Sequence, residues 1–184
     1  MEGGRTLMQS ALRSSLGRRF QLTAAVAALL IWPSLVRAQQ IRDPRDPYVA
    51  AAQSTGVPLE LLAAIAGAES AYHPWALNLR GRPVYCRSRA EAERLISGFD
   101  EVDIGLMQVN FPRWGRRLGL SKSQLLDPQT NLMAGARILR QCLNRSGDLW
   151  QRIGAYHSGR PDERRRYNQE VYKSYLRYVR GELR

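Results

Sequence analysis

Glu69 is the residue whose position best suits it to chemistry. Leu61, Leu62, Ile65 and Ala68 recur at spacings of three and four through residues 59–70, the pattern of a helix with one buried face. Glu69 follows Ile65 by four and Leu62 by seven, so its carboxyl closes that apolar stripe. A carboxyl there is desolvated, and the negative end of the helix dipole disfavours its charge further. Both effects raise its pKa, which suits a general acid working near neutral pH. The residue would serve equally as an ion-pair partner for one of the many arginines, and periodicity alone leaves the two readings level.

Two further clusters carry usable groups. In Gly105-Leu106-Met107-Gln108 with Asn110, a glycine lets backbone approach a ligand, and the two amides suit hydroxyl and acetamido groups. Alone, this stretch reads more simply as a turn into a buried segment. Tyr156, His157 and Gly159 form the third cluster. Tyr156 could orient a carboxyl through its hydroxyl, or be an ordinary core tyrosine. His157 by itself suits a surface or capping position better than that of a base.

These residues need elements to hold them. The pattern predicts helices over 48–55 and 59–70, the second opened by Pro58. A short strand is expected at Arg82–Tyr85, and a small helix at Arg89–Ile96 behind a Ser88 cap. A short helix and turn follow at 111–119. A strong helix starts at Asp127-Pro128 and turns Leu132, Ala136, Leu139 and Leu143 inward. Another spans 149–155, and the basic C-terminus from Asp162 is helical. The fold class is mainly α, an α+β arrangement in which one helical domain carries a small irregular β element.

The chain of 184 residues carries 28 Lys+Arg against 16 Asp+Glu, a net charge of +12. All the cations but Lys122 and Lys173 are arginine. The composition excludes a disordered polar chain and a collagen-like one. No apolar run reaches the roughly 18 residues of a spanning helix. Residues 1–38 read as a secretory signal peptide: Arg5, Arg13, Arg18 and Arg19, an apolar run from Leu22 to Trp32, then Val36-Arg37-Ala38 before a cut. An uncleaved anchor is the alternative, and cleavage leaves no stable membrane span. Residues 39–47 form a linker broken by Pro44 and Pro47, and 48–184 the domain. Export implies the periplasm, where Cys86 and Cys142 are expected to form one disulfide. Two thiols and two imidazoles, His73 and His157, lack the spacing of a metal cage, and no cofactor is expected.

Glu69-Ser70, Gly105-Leu106-Met107-Gln108 and Ala155-Tyr156-His157-Ser158-Gly159, in that order, resemble the lytic transglycosylases of the soluble-lytic-transglycosylase (SLT) domain family. The resemblance runs from about Tyr48 to Tyr178. With Asp103 ahead of Gly105, it is greatest to the small exported members that accompany conjugative transfer and type IV secretion systems. It implies a lysozyme-like fold that cleaves the β-1,4 bond between N-acetylmuramic acid and N-acetylglucosamine in peptidoglycan glycan strands. The family's catalytic carboxyl falls on Glu69. Substrate contacts fall on Ser70, Met107, Gln108, Asn110, Tyr156, His157 and Tyr172, with Tyr175 close enough to Tyr172 to compete. His157 stands where many members have Asn, and Asp103 departs from the Ser/Gly-Ala lead-in of larger members.

Three rival readings define the alternatives. A hydrolytic muramidase would recruit Asp103, Asp100 or Glu101 to hold a water. A non-catalytic component of the secretion apparatus would have no need of a buried Glu69. Arg164-Arg165-Arg166 and the basic tail would suit nucleic acid, but an exported chain does not meet it, and a basic surface attracts the anionic wall instead.

Overall fold

The computed structural model describes residues 46–182. The expected signal peptide and most of the expected linker lie outside them. Asp46 and Pro47, read from sequence as the linker's end, instead open the first helix. Pro47 takes its first turn and the Asp46 carboxylate accepts from the Tyr48 amide at 2.8 Å.

Helix α1 (Pro47–Thr55) ends at Gly56, whose φ of 65° turns the chain into α2 (Leu59–Ser70). Arg140 donates its Nε to Thr55 O at 2.7 Å and its Nη2 to Gly56 O, fastening this turn to α5 (Pro128–Leu143). Leu62, Ala63, Ala64, Ile65 and Ala66 are all buried, so α2 is the central helix of the domain. It packs along α7 (Pro161–Val179) at a glycine. A Cβ at Gly67 would lie 2.1 Å from Ser174 Oγ and 2.6 Å from the Tyr72 hydroxyl, so only glycine admits this approach. The helix stops where Ala71 and Tyr72 enter the left-handed region, at φ of 50° and 66°.

The β element is larger than the single strand expected at Arg82–Tyr85. Strands β1 (Ala76–Leu79), β2 (Arg82–Tyr85), β3 (Val102–Ile104) and β4 (Val109–Asn110) form an antiparallel sheet in the order β2-β1-β3-β4. Leu77 pairs with Val84 on one side and Ile104 on the other, and Ile104 pairs with Val109. None of the four strands exceeds four residues, so no alternation is long enough to be read. Between β2 and β3 lies α3 (Arg89–Ile96), capped by Ser88 as expected. After β4 come a π-helical turn (Phe111–Gly115) and the short α4 (Lys122–Leu125), opened by a Ser121/Gln124 capping box. Helix α5 starts at an Asp127 cap, and α6 (Leu149–His157) at an Asp148 cap.

The core gathers Leu62 and Ile65 of α2, Leu77 and Ile104 of the sheet, Leu132, Ile138 and Leu139 of α5, and Ile153 of α6. Buried Asn131 ties α5 to the loop between β3 and β4. Its Nδ2 donates to Ile104 O (2.7 Å) and Leu125 O (2.9 Å), and its Oδ1 accepts from the Met107 amide (2.8 Å). Gly105, at φ 77°, has no room for a side chain there, since a Cβ would lie 2.5 Å from Asn131 Nδ2. Among the described residues no single helix is long and apolar enough to cross a membrane.

The expected disulfide is absent. Cys86 and Cys142 are separate buried thiols. Cys86 follows β2, its amide on Trp75 O and its sulfur in the field of Glu91. Cys142 sits on the last turn of α5 in the fields of Arg145, Arg113 and Arg164. Export and an even count argue for pairing, but they do not fix where each sulfur points.

Candidate active site

Helix α2 delivers Glu69 to a groove of about 440 Å³ between the sheet and the helical body. Its carboxyl is one residue from the helix end, with its side chain 11% exposed. Burial pushes its pKa from 4.5 up to about 8, and the charge of Asp103 adds to the rise. The Tyr167 hydroxyl acts the other way, stabilising the carboxylate. Glu69 is therefore a proton donor at neutral pH, held in a cleft open to a ligand.

Tyr167 is the residue the sequence reading missed. It is buried on α7, its hydroxyl faces Glu69, and among the described residues no atom completes a hydrogen bond to it. Tyr172, expected as a substrate contact, does not line the groove. It is 49% exposed and rests edge-on against Trp150, with ring centroids 6.0 Å apart. Five residues turn a helix by about 140°, so the two tyrosines cannot share a face. Tyr175 is also exposed. The available signal was the recurrence of Tyr167, Val171 and Ser174, the buried face of α7, at four and three residues.

The remaining expected residues divide into those that line the groove and those that build it. Gln108, Asn110, Tyr156 and His157 line it with Glu69. His157 Nδ1 lies 4.0 Å from Glu69 Oε1, and its ring stacks on Tyr167 at 4.7 Å and 7°. Gln108 sits in the left-handed region at φ 42°. Its Nε2 donates to Ala76 O (3.0 Å) and Gly105 O (2.9 Å), which leaves its Oε1 as the acceptor for a ligand. Asn110 donates to Asp103 Oδ1 at 2.8 Å and accepts from the Arg113 amide at 3.0 Å. Tyr156 shows its ring to the groove, but its hydroxyl goes to Met107 O at 2.8 Å rather than to the carboxyl.

Ser70 and Met107 do not reach the groove. Ser70 is 1% exposed and its hydroxyl lies 2.9 Å from Leu106 O and 3.0 Å from Ala66 O, a tether between α2 and the glycine loop. Met107 is fully buried against Gly135, where a Cβ would come within 2.5 Å of it. Both are corrections to the expected substrate contacts. They support the loop that carries Gln108.

Asp103 lies in the same groove, its pKa raised by burial, which Asn110 and His157 offset only in part. Asp100 is exposed beside Lys122, and Glu101 lines a shallow depression that adjoins the groove at Asn78, Asp103 and Asn110 without lining the groove itself. Of the three carboxylates that could have accompanied Glu69, only Asp103 does. The sheet contributes Asn78, Pro83 and Tyr85 to one wall, and the π turn contributes Arg113 and Trp114.

Comparison with known proteins agrees with this geometry. The family model of the transglycosylase SLT domain matches residues 46–177, spanning every element that lines the groove. Invasion protein IagB of Salmonella typhimurium is 32% identical over 139 residues, 71% of this chain and 75% of that protein. Protein IpgF of Shigella sonnei is 27% identical over 72% of this chain and 80% of its own length. No solved structure matches the chain significantly. The chain belongs to the transglycosylase SLT domain family, with its lysozyme-like architecture, and is an enzyme that acts on peptidoglycan.

Proposed function

We propose that the enzyme is a periplasmic lytic transglycosylase in which Glu69 is the single acid/base. The observation that carries this reading is a groove-lining carboxyl whose pKa is raised to about 8 by burial. Protonated Glu69 donates to the glycosidic oxygen as the bond to the anomeric carbon of N-acetylmuramic acid breaks. The carboxylate so formed takes the proton of the muramic O6. That oxygen closes on the anomeric carbon, giving a 1,6-anhydro end without consuming water. Gln108 Oε1 and the Asn110 amide bind the sugar hydroxyl and acetamido groups, and Tyr156 and His157 pack along the glycan. Tyr167 steadies the ionised form of Glu69 between the two proton transfers.

Local opening of the wall for an envelope-spanning secretion or conjugative apparatus is the role we propose for this activity. The chain's likeness to a relative named as an invasion protein supports it. One observation favours a second reading. Asp103 faces the same groove as Glu69, so a hydrolytic muramidase could use it to hold a water. Digestion of purified murein sacculi, with the muropeptides identified by mass, decides between them. Anhydro-ended products from wild type, and none from Glu69→Gln, are expected. Products one water heavier, with reducing ends, would establish the muramidase. Equal release by both proteins would remove Glu69 from the mechanism.

A further inference from the structure

A second cavity, of about 470 Å³, opens where α5, α6 and α7 meet, and none of its lining residues is shared with the catalytic groove. It is lined by Arg145, Ser146, Gln151, Arg152, Ala155 and Arg164. Three arginines from three parts of the chain thus line one space with no carboxylate among them. Arginine does not discharge in proteins, so their mutual repulsion persists unless an anion or solvent offsets it.

Two of the three are held in place by backbone carbonyls. Arg152 Nη1 donates to Leu143 O at 2.9 Å, and Arg164 donates to Ser158 O (2.8 Å) and Gly159 O (3.0 Å). These bonds cap helix ends and explain the positions of the side chains, but they neutralise no charge and leave N–H donors over on each fork. Arg145 makes no side-chain hydrogen bond or ion pair among the described residues. The nearby acids are committed elsewhere: Asp148 caps α6 on the Gln151 amide, Asp162 pairs with Arg165, and Glu163 pairs with Arg160. Gly154 permits the arrangement, since a Cβ there would come within 2.8 Å of Arg164 Cβ. The positive field extends inward as far as Cys142, which feels both Arg145 and Arg164.

We propose that this cavity is a binding site for a phosphate group. A phosphate carries up to two charges on tetrahedral oxygens, which fixed guanidinium forks match in charge and geometry better than a single carboxylate does. The depression opens to solvent, so it admits a phosphate that is free or carried by a larger molecule. The source is either a soluble phosphate or the headgroup of an anionic phospholipid. Leu149 and Trp150, which precede Gln151, are 49% and 42% exposed and would suit a lipid interface.

The test titrates the purified protein with inorganic phosphate and glycerol phosphate by calorimetry, and sediments it with phosphatidylglycerol/phosphatidylcholine vesicles against phosphatidylcholine alone. Arg145→Gln is the informative variant because, among the described residues, its side chain makes no hydrogen bond or ion pair that the substitution would break. Arg137→Gln, an exposed cation on α5 outside the cavity, controls for net charge. Binding of at least one probe, weakened about ten-fold by Arg145→Gln and unchanged by Arg137→Gln, is expected, with wild-type muropeptide release from both variants. Soluble phosphates alone, or anionic vesicles alone, identify the source. Absence of binding to every probe, or equal weakening by both variants, overturns the site.

Discussion

The groove at Glu69 and the cavity at Arg145 both hold charge-bearing groups without a balancing partner, and the fold treats them in opposite ways. Glu69 is a carboxyl, so burial renders it neutral: its pKa moves up to about 8 and the charge disappears at neutral pH. The guanidinium groups of Arg145, Arg152 and Arg164 have no neutral form within reach, so the cavity stays open and charged. Desolvation thus creates a reagent in one region, while in the other its avoidance leaves a receptor. The same strongly basic chain supports both because, among the described residues, no arginine forms an ion pair with the carboxyl, although Arg113 lines the same groove. The nearest basic group to Glu69 given by the structure is the imidazole of His157, 4.0 Å away.

The largest expected effect breaks the neutral side of this contrast. Glu69→Gln keeps the shape of the side chain and removes its transferable proton, so muropeptide release should fall about 10³-fold or more. In the wild-type enzyme the acid must be protonated, so the rate should decline as pH rises through about 8. A profile flat through that pH would mean that burial is not what sets the proton on Glu69.

Stability gives the next largest effect, in the opposite direction. The folded protein binds the Glu69 proton more tightly than the unfolded chain, whose carboxyl titrates near 4.5. Its contribution to stability is full below that value and is lost as pH rises to about 8. Each unit of displacement corresponds to about 1.4 kcal/mol, and each kcal/mol to about 4 °C in a domain of this size. Glu69→Gln has no charge to bury, so its Tm should exceed that of wild type by a margin that widens from pH 4.5 to pH 8. Thermal scans across that range check it, and a constant margin would contradict the assigned cause.

Tyr167 sharpens the same comparison at smaller scale. Tyr167→Phe removes the hydroxyl that favours the carboxylate, so the alkaline limb of the rate profile should move to higher pH. The rate at neutral pH should fall about ten-fold, as removal of a buried hydroxyl that favours the carboxylate suggests. Tyr172→Phe should change neither, since Tyr172 packs on Trp150 outside the groove. Rate profiles of the two variants, measured side by side, separate the tyrosines.

How much of this was legible in the sequence follows the length of the signals. The apolar periodicity of residues 59–70 located α2 and placed Glu69 at its buried end. The caps at Ser88 and Asp127 located two more helices. Strands of two to four residues carry no comparable pattern, so the sheet went unread apart from β2. Ser70 and Met107 were near the right place by sequence but face inward, because adjacency along the chain does not say which way a side chain points. Tyr167 was hidden for a related reason: among Tyr167, Tyr172, Tyr175 and Tyr178, only the helix face distinguishes the one that reaches Glu69. The arginine cavity was invisible, since its three cations come from separate elements and their companion, an absent carboxylate, leaves no mark.

The smallest expected effect is none, and it tests which influence prevails where the two regions meet. Cys142 lies beside the arginine cavity, and Arg145, Arg113 and Arg164 all favour its thiolate. Burial opposes them and is the larger influence, so the thiol stays protonated and its pKa is raised. Cys86 is likewise raised, by burial and by Glu91. Two protonated thiols inside the core should resist alkylation by iodoacetamide in the folded enzyme at pH 8 and react at once in denaturant. Addition of a reductant should leave the Tm unchanged, because there is no bridge to open; loss of a native disulfide would cost about 2–5 kcal/mol. Rapid labelling of Cys142 in the folded state would mean that the arginine field reaches past the wall of its cavity, and that burial does not dominate there as it does at Glu69.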